Sequence, residues 1–307
     1  MIIRNFLFHR VSDEPDALWP PMKPKLFTEV IKYLTRRYQV VPLEVFLNDP
    51  HSLLSSKKIA TVLFDDGYKD NIEVAAPILK KYKCPGSFYI VTGCIDGNIP
   101  TWTYLIDNAF QKTKKQKLEF SYDFVPAKFK SVPAKLNASM NPVIKTIKSW
   151  MKTLADEQRL TITNAILDQC NDVPIPENKM MNWKDIRQLK TAEFIIGSHS
   201  HTHPLLASLT DESAIARELK TSAQRILQET GDFPETISYP IGSFDERVIH
   251  ESKNAGYKFG LAVEQKFFYY PSDVMTMPRV ELYQESWWKV KLHLTGNYLN
   301  RLKRIRN

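Results

Sequence analysis

The sequence predicts an α/β fold of parallel strands joined by helical crossovers, interrupted once by a basic, helical insertion. Three observations carry this expectation. Short β-rich runs alternate with helical patterns, as they do in parallel sheets built from βα units. The run Ile59 to Phe64 is apolar apart from Thr61, which suits a strand buried on both faces. Two polar clusters, Asp65-Asp66-Gly67 and His199 to His203, each follow a strand-like run, the place where α/β barrels carry their functional loops.

Taken in order, Met1 to Arg10 holds an apolar stretch broken by Arg4 and Asn5, with no small-residue cleavage site behind it. It reads as a first strand and poorly as a signal peptide. Phe27 to Tyr38 places Phe27, Val30, Ile31 and Leu34 on one helical face and leads into a short strand, Val40 to Leu43. After the Ile59 to Phe64 strand, Ile72 to Tyr82 is predicted helical despite Pro77, and Gly86 to Val91 is the next strand. Trp183 to Leu189 reads as a short helix and Phe194 to Gly197 as a strand. Asp211 to Glu229 is the clearest helix, entered by Thr210 as N-cap and closed by Gly231. Thr236 to Tyr239, Lys258 to Val263 and Thr276 to Leu282 complete the strands, and a last helix lies within Glu285 to Arg304, with a break expected at Gly296. From about 100 to 180 the rhythm fails among scattered prolines and many lysines. That stretch reads as an insertion within one domain spanning residues 1–307, a length usual for a single α/β barrel.

With 43% hydrophobic and 25% charged residues, the composition is that of a chain with a packed core. No window approaches the roughly 20 apolar residues that a membrane-spanning helix needs. Cys84, Cys94 and Cys170 form an odd set without CxxC spacing, which argues against a disulfide framework or a thiolate zinc site and for a reducing, cytoplasmic setting. The net charge of +8 is concentrated in Lys112, Lys114, Lys115 and Lys117 and in Arg301, Lys303, Arg304 and Arg306. Such runs are usually solvated faces; attraction of an anionic partner such as a lipid headgroup, in a peripheral membrane contact, or a sugar diphosphate is the alternative. Without a recognisable nucleic-acid motif, nucleic acid is not an expected partner.

The chemistry lies in the two clusters. Adjacent carboxylates at a strand end diverge, so one can ligate a metal while its neighbour remains free as a base. Read alone, Asp-Asp-Gly is more often a turn that caps a helix. His199 and His203 are spaced i, i+4, so a single helical turn would place both imidazoles on one side, with His201 directed elsewhere. One histidine would more often be a hydrogen-bonded core residue, but three in five positions point to ligation. Two imidazoles and one carboxylate leave coordination positions open, as a catalytic metal requires.

Thr61-Val62-Leu63-Phe64-Asp65-Asp66-Gly67, His199-Ser200-x-x-His203 and Ser238-Tyr239-Pro240-Ile241-Gly242 stand in the order of three motifs of the polysaccharide deacetylase family, the NodB homology domain of carbohydrate esterase family 4. Phe6-Leu7-Phe8-His9 resembles that family's first strand. The resemblance covers roughly residues 1–98 and 181–284. It implies an irregular (β/α) barrel of the NodB type. It also implies Asp65 as general base and Asp66, His199 and His203 as ligands of a divalent ion, zinc being the expected one. The wall loop Tyr239-Pro240-Ile241 would contact substrate, with the Ile241 backbone N–H directed at the oxyanion.

Two departures from the family pattern shape the expectations. The third motif usually opens on an arginine that orients the base, and Ser238 stands there. Arg279, beside a late strand, could supply the guanidinium, or could equally lie on the surface. The usual Leu-x-His acid motif is not matched by Leu292-His293, so His9 is the substitute candidate, with a merely packed histidine as the alternative. Tyr68 and Trp102 could stack on a sugar ring or serve only packing. The expected activity is metal-dependent hydrolysis of the N-acetyl group of a sugar or glycan intermediate, lipid-linked or nucleotide-linked. The alternatives are a hydrolase of non-sugar amides on the same fold and an inactive glycan-binding protein.

Overall fold

The computed structural model describes residues 1–50, 58–134 and 141–297. The basic run 301–306 and the end of the expected last helix lie outside the described residues. In chain order the elements begin with β1 (Ile2–Phe8), α1 (Pro24–Arg37), β2 (Tyr38–Val40), α2 (Leu43–Asn48) and β3 (Lys58–Phe64). A π-helical turn (Asn71–Ala75) runs directly into α3 (Ala76–Lys81), with Pro77 just after the π turn. Then come β4 (Ser87–Ile90) and α4 (Thr92–Gly97).

The segment read as an insertion has more internal order than its weak periodicity promised. It holds α5 (Trp102–Lys112), a hairpin of β5 (Lys117–Glu119) and β6 (Ser131–Pro133), α6 (Asn141–Met151) and α7 (Asp156–Gln169). These elements share an apolar cluster of their own, including Phe110, Leu118, Ile147 and Ile162, to which Leu205 and Ile241 of the barrel loops also belong. The chain then resumes with α8 (Trp183–Thr191), β7 (Ile195–Ser198), α9 (Glu212–Thr230), β8 (Thr236–Ser238), α10 (Glu246–Asn254), β9 (Phe259–Leu261), β10 (Phe268–Tyr269), β11 (Val280–Glu281) and α11 (Trp287–Thr295).

Several boundaries differ from expectation by a few residues. The N-cap of α9 is Asp211, whose carboxylate accepts from the Ser213 N–H, in place of Thr210. Leu43 opens α2 and does not extend a strand, because Pro42 fits the position before a helix and cannot supply a ladder N–H. Of Thr276 to Leu282 only Val280 and Glu281 pair as a strand. Gly296 ends α11 in the left-handed region, at φ +78.

The main sheet runs β10-β1-β3-β4-β7-β8-β9, with β11 also on β1 and β2 on β3. Every pairing is parallel except β1–β10. Met277 bridges to Leu261 of β9 just before β11 pairs with β1, so the sheet curls back on itself as an irregular barrel. Among the described residues no helix is long and apolar enough to cross a membrane.

Alternation along β3 decides where the functional groups go. Val62 and Phe64 pack outward with Phe27, Val30 and Ile31 of α1, whereas Ile59 and Leu63 belong to the cluster inside the curl with Ile3, Tyr89 and Leu261. Thr61 shares the inner face and donates to Asn5, which in turn donates to the Pro278 carbonyl. Asp65 is next in that inner series.

Candidate active site

Asp65, Asp66, His199 and His203 are all buried and line one cavity of ≈ 580 Å³ at the C-terminal ends of the strands. Three loops built from strained backbone converge there. Asp66 and Gly67 have φ of +73 and +88, Ser200 and His203 +66 and +62, and Ile241 +57. Left-handed backbone at a β-branched residue such as Ile241 costs on the order of 1–3 kcal/mol and is held only by its surroundings. The 199–203 segment is therefore a turn and not the expected helical turn. The Ser200 hydroxyl accepts from the His203 N–H to close it, and the imidazoles still converge.

Asp66 Oδ1 lies 3.5 Å from His199 Nε2 and 3.4 Å from His203 Nε2. One ligand-capable atom from each of the three residues falls within 4.8 Å of the others. His199 Nδ1 donates to the Ser238 carbonyl at 2.6 Å, which fixes the tautomer and leaves the Nε2 lone pair facing Asp66. Burial pushes the His203 imidazole down to about 3, so it stays neutral, the form that ligates. At His199 burial works in the same direction, but the Asp65 and Asp66 carboxylates outweigh it and raise its pKa. Two neutral-capable nitrogens, a buried carboxylate and open space beside them fit a divalent cation. His201 turns away, its Nδ1 2.9 Å from the Thr92 hydroxyl.

Asp65 is held at both oxygens. Arg279 Nη1 donates to Oδ1 at 2.8 Å and the Ser238 hydroxyl to Oδ2 at 3.0 Å. Arg279 is fully buried, and its Nε donates to the Ala262 carbonyl. Burial alone would raise the Asp65 carboxyl, but the Arg279 guanidinium, and then His199, hold it below the usual range. Ser238 thus serves two partners, orienting the carboxylate through its side chain and His199 through its carbonyl. Sequence reading registered it only as a missing arginine.

His9 lines the cavity, with Nδ1 3.5 Å from a Glu281 carboxylate oxygen and its ring edge-on to Trp19. Ile241 lines it too. The expected substrate contacts of Tyr68, Trp102, Tyr239 and Pro240 need correction. All four are buried in the protein and their side chains do not line the cavity. The Tyr68 hydroxyl meets Thr101, the Trp102 indole donates to the His203 carbonyl, and Tyr239 packs with Phe244, Val248 and Tyr257. An aromatic residue in a loop advertises apolar area but not which side of the loop it will cover. Cavity residues missed in the sequence are Glu281, Tyr283, Asp107 and a row of lysines, Lys145 and Lys148 on α6 and Lys152 just past its end.

The family model described as polysaccharide deacetylase matches residues 54–131 and 145–260. Among solved structures, the fold is similar to the Streptococcus pyogenes deacetylase PplD in complex with acetate, at 15% identity and TM-score 0.64, covering 95% of this chain and 98% of that one. It is also similar to a de-N-acetylase from Aggregatibacter actinomycetemcomitans, at 16% identity and TM-score 0.61, covering 95% and 100%. BC0361, a polysaccharide deacetylase from Bacillus cereus, gives 17% identity and TM-score 0.61 over 95% and 69%. No curated protein sequence matches the chain.

Proposed function

The chain belongs to the polysaccharide deacetylase family, and from that premise we propose that it hydrolyses the N-acetyl group of an N-acetylated sugar or glycan, releasing acetate and a free amine. Asp66, His199 and His203 would hold a divalent ion, with zinc the ion their nitrogen-rich set suits. Such an ion supplies Lewis acidity toward an acyl oxygen and toward water.

The observation that carries the reading is Asp65. A buried carboxylate, kept ionised by Arg279 and aimed by Ser238, stands beside a cation site without being required as a ligand. A base needs that combination: charged, positioned and free to take a proton. Asp65 accepts a proton from water as the water oxygen attacks the acetyl carbon. The Ile241 N–H, in a loop that lines the cavity, would donate to the developing oxyanion. Collapse breaks the C–N bond, and the leaving nitrogen takes a proton from His9 or from the proton now on Asp65. His9 is the candidate for the first role because it lines the cavity, held beside Glu281.

The test is metal analysis of the purified protein combined with acetate release from a panel of N-acetylated sugars. Stoichiometric divalent metal and acetate release abolished by chelation support the reading. Acetate release that survives complete metal removal overturns it.

A further inference from the structure

The wall of the cavity opposite the barrel loops comes from the insertion. Ile144, Ile147 and Met151 of α6 are buried in the insertion's own core. One residue further along, at spacings of three and four, Lys145 and Lys148 of α6 and Lys152 in the turn that closes it line the cavity.

The acidic groups facing these lysines each have another partner closer by. Asp107 is buried and paired with Lys148. Glu281 is shared by His9 and the Tyr283 hydroxyl. Asp65 is held by Arg279, and Asp66 lies between two imidazoles. Among the described residues Lys145 and Lys152 form no ion pair, although Glu281 and Asp107 act on Lys152 from a distance. They present two exposed ammonium groups to the same cavity as the proposed base, beside an element fixed by the insertion's core. Ammonium groups on the insertion's side of the cavity, away from the Asp65–Asp66 side, favour a ligand whose far end is anionic.

We propose that the substrate is an anionic N-acetylated sugar, one whose phosphate or carboxylate substituent is received by Lys145 and Lys152 while the acetamide group reaches Asp65. This rests on the deacetylase reading and narrows its substrate class. Lys148, neutralised by Asp107, shapes the wall, and the two unpaired lysines read the charge.

The experiment compares one β-linked N-acetylglucosamine disaccharide in three forms: unmodified, phosphorylated at a primary hydroxyl, and oxidised there to the carboxylate. Acetate release is followed with the metal-loaded enzyme and with the Lys145→Gln/Lys152→Gln variant, which leaves the buried Lys148–Asp107 pair intact. One or both anionic forms are expected to exceed the neutral form in kcat/KM by about tenfold or more, with the preference lost in the variant and weakened by salt. Which anionic form gains identifies the source of the charge. In parallel, calorimetry with the phosphorylated disaccharide and the Asp65→Asn protein reads binding without turnover. Equal kcat/KM for all three forms, or a preference unchanged in the variant, overturns the proposal. If no form releases acetate, the deacetylase reading fails, and calorimetry then decides the lysine wall separately: lysine-dependent binding supports it and lysine-independent binding overturns it.

Discussion

Arg279 and Asp65 are 214 positions apart in the chain, yet their side chains meet at 2.8 Å in a fully buried ion pair. The bridge from Met277 to β9 and the pairing of β11 with β1 bring them together, because they return the last strand to the first. Closure of the barrel therefore sets the ionisation of the proposed base.

Asp65→Asn keeps the side-chain shape and removes the proton acceptor. Turnover should fall by about 10²–10⁴, the usual worth of a positioned acid or base, while bound metal stays at its wild-type level. Acetate-release rates alongside metal analysis check both halves, and activity above a tenth of wild type would move the base elsewhere.

Arg279→Met should destabilise the protein by about 3–5 kcal/mol, since it strands a buried carboxylate, which denaturant unfolding would measure. The pH dependence has a definite sign. Asp65 is depressed in the folded protein, so its contribution to stability is present above the unfolded carboxyl value and is lost as pH falls through the folded value. Without the guanidinium, burial acts unopposed and the carboxyl rises. The acid limb of the pH–rate profile should then move to higher pH in the variant; an unmoved limb would separate Arg279 from the base.

Removing metal by chelation should lower the melting temperature and adding zinc should restore it, because a ligand at 100 times its Kd adds about 2.7 kcal/mol. His203→Ala should abolish the zinc-dependent shift, whereas His201→Ala should retain it, since His201 is bonded to Thr92 away from the cluster. Thermal melts of both variants with and without zinc are the measurement.

The barrel and the polar clusters were legible because they rest on local signals: apolar runs of strand length, and carboxylates or imidazoles at their ends. The Arg279 contact could be anticipated only from the chemical need of Asp65 and the return of late strands. Side-chain direction was not legible. Tyr68 and Trp102 turn into the protein toward partners distant in sequence, Thr101 for the one and His203 and Arg159 for the other. On α6 the Ile144, Ile147 and Met151 stripe is helical in spacing, but prolines and lysines around it obscured the pattern and the lysine face beside it.

Trp102 lost its expected place at the sugar and gained another. Its indole Nε1 donates at 3.2 Å to the carbonyl of His203, a residue held at φ +62 where non-glycine backbone is strained. The Arg159 guanidinium covers the indole face at 4.9 Å, so the insertion braces the turn that delivers His203 to the cavity. Trp102→Phe preserves most of the buried ring and deletes only the donor. Leaving the His203 carbonyl unsatisfied should cost about 1–3 kcal/mol, part of it as weaker zinc binding, because the turn that presents the imidazole loses a restraint. Zinc titration calorimetry of the variant is the check: an unchanged Kd with lowered stability would make Trp102 a packing residue alone, while a raised Kd would make it a positioning residue for the cation site.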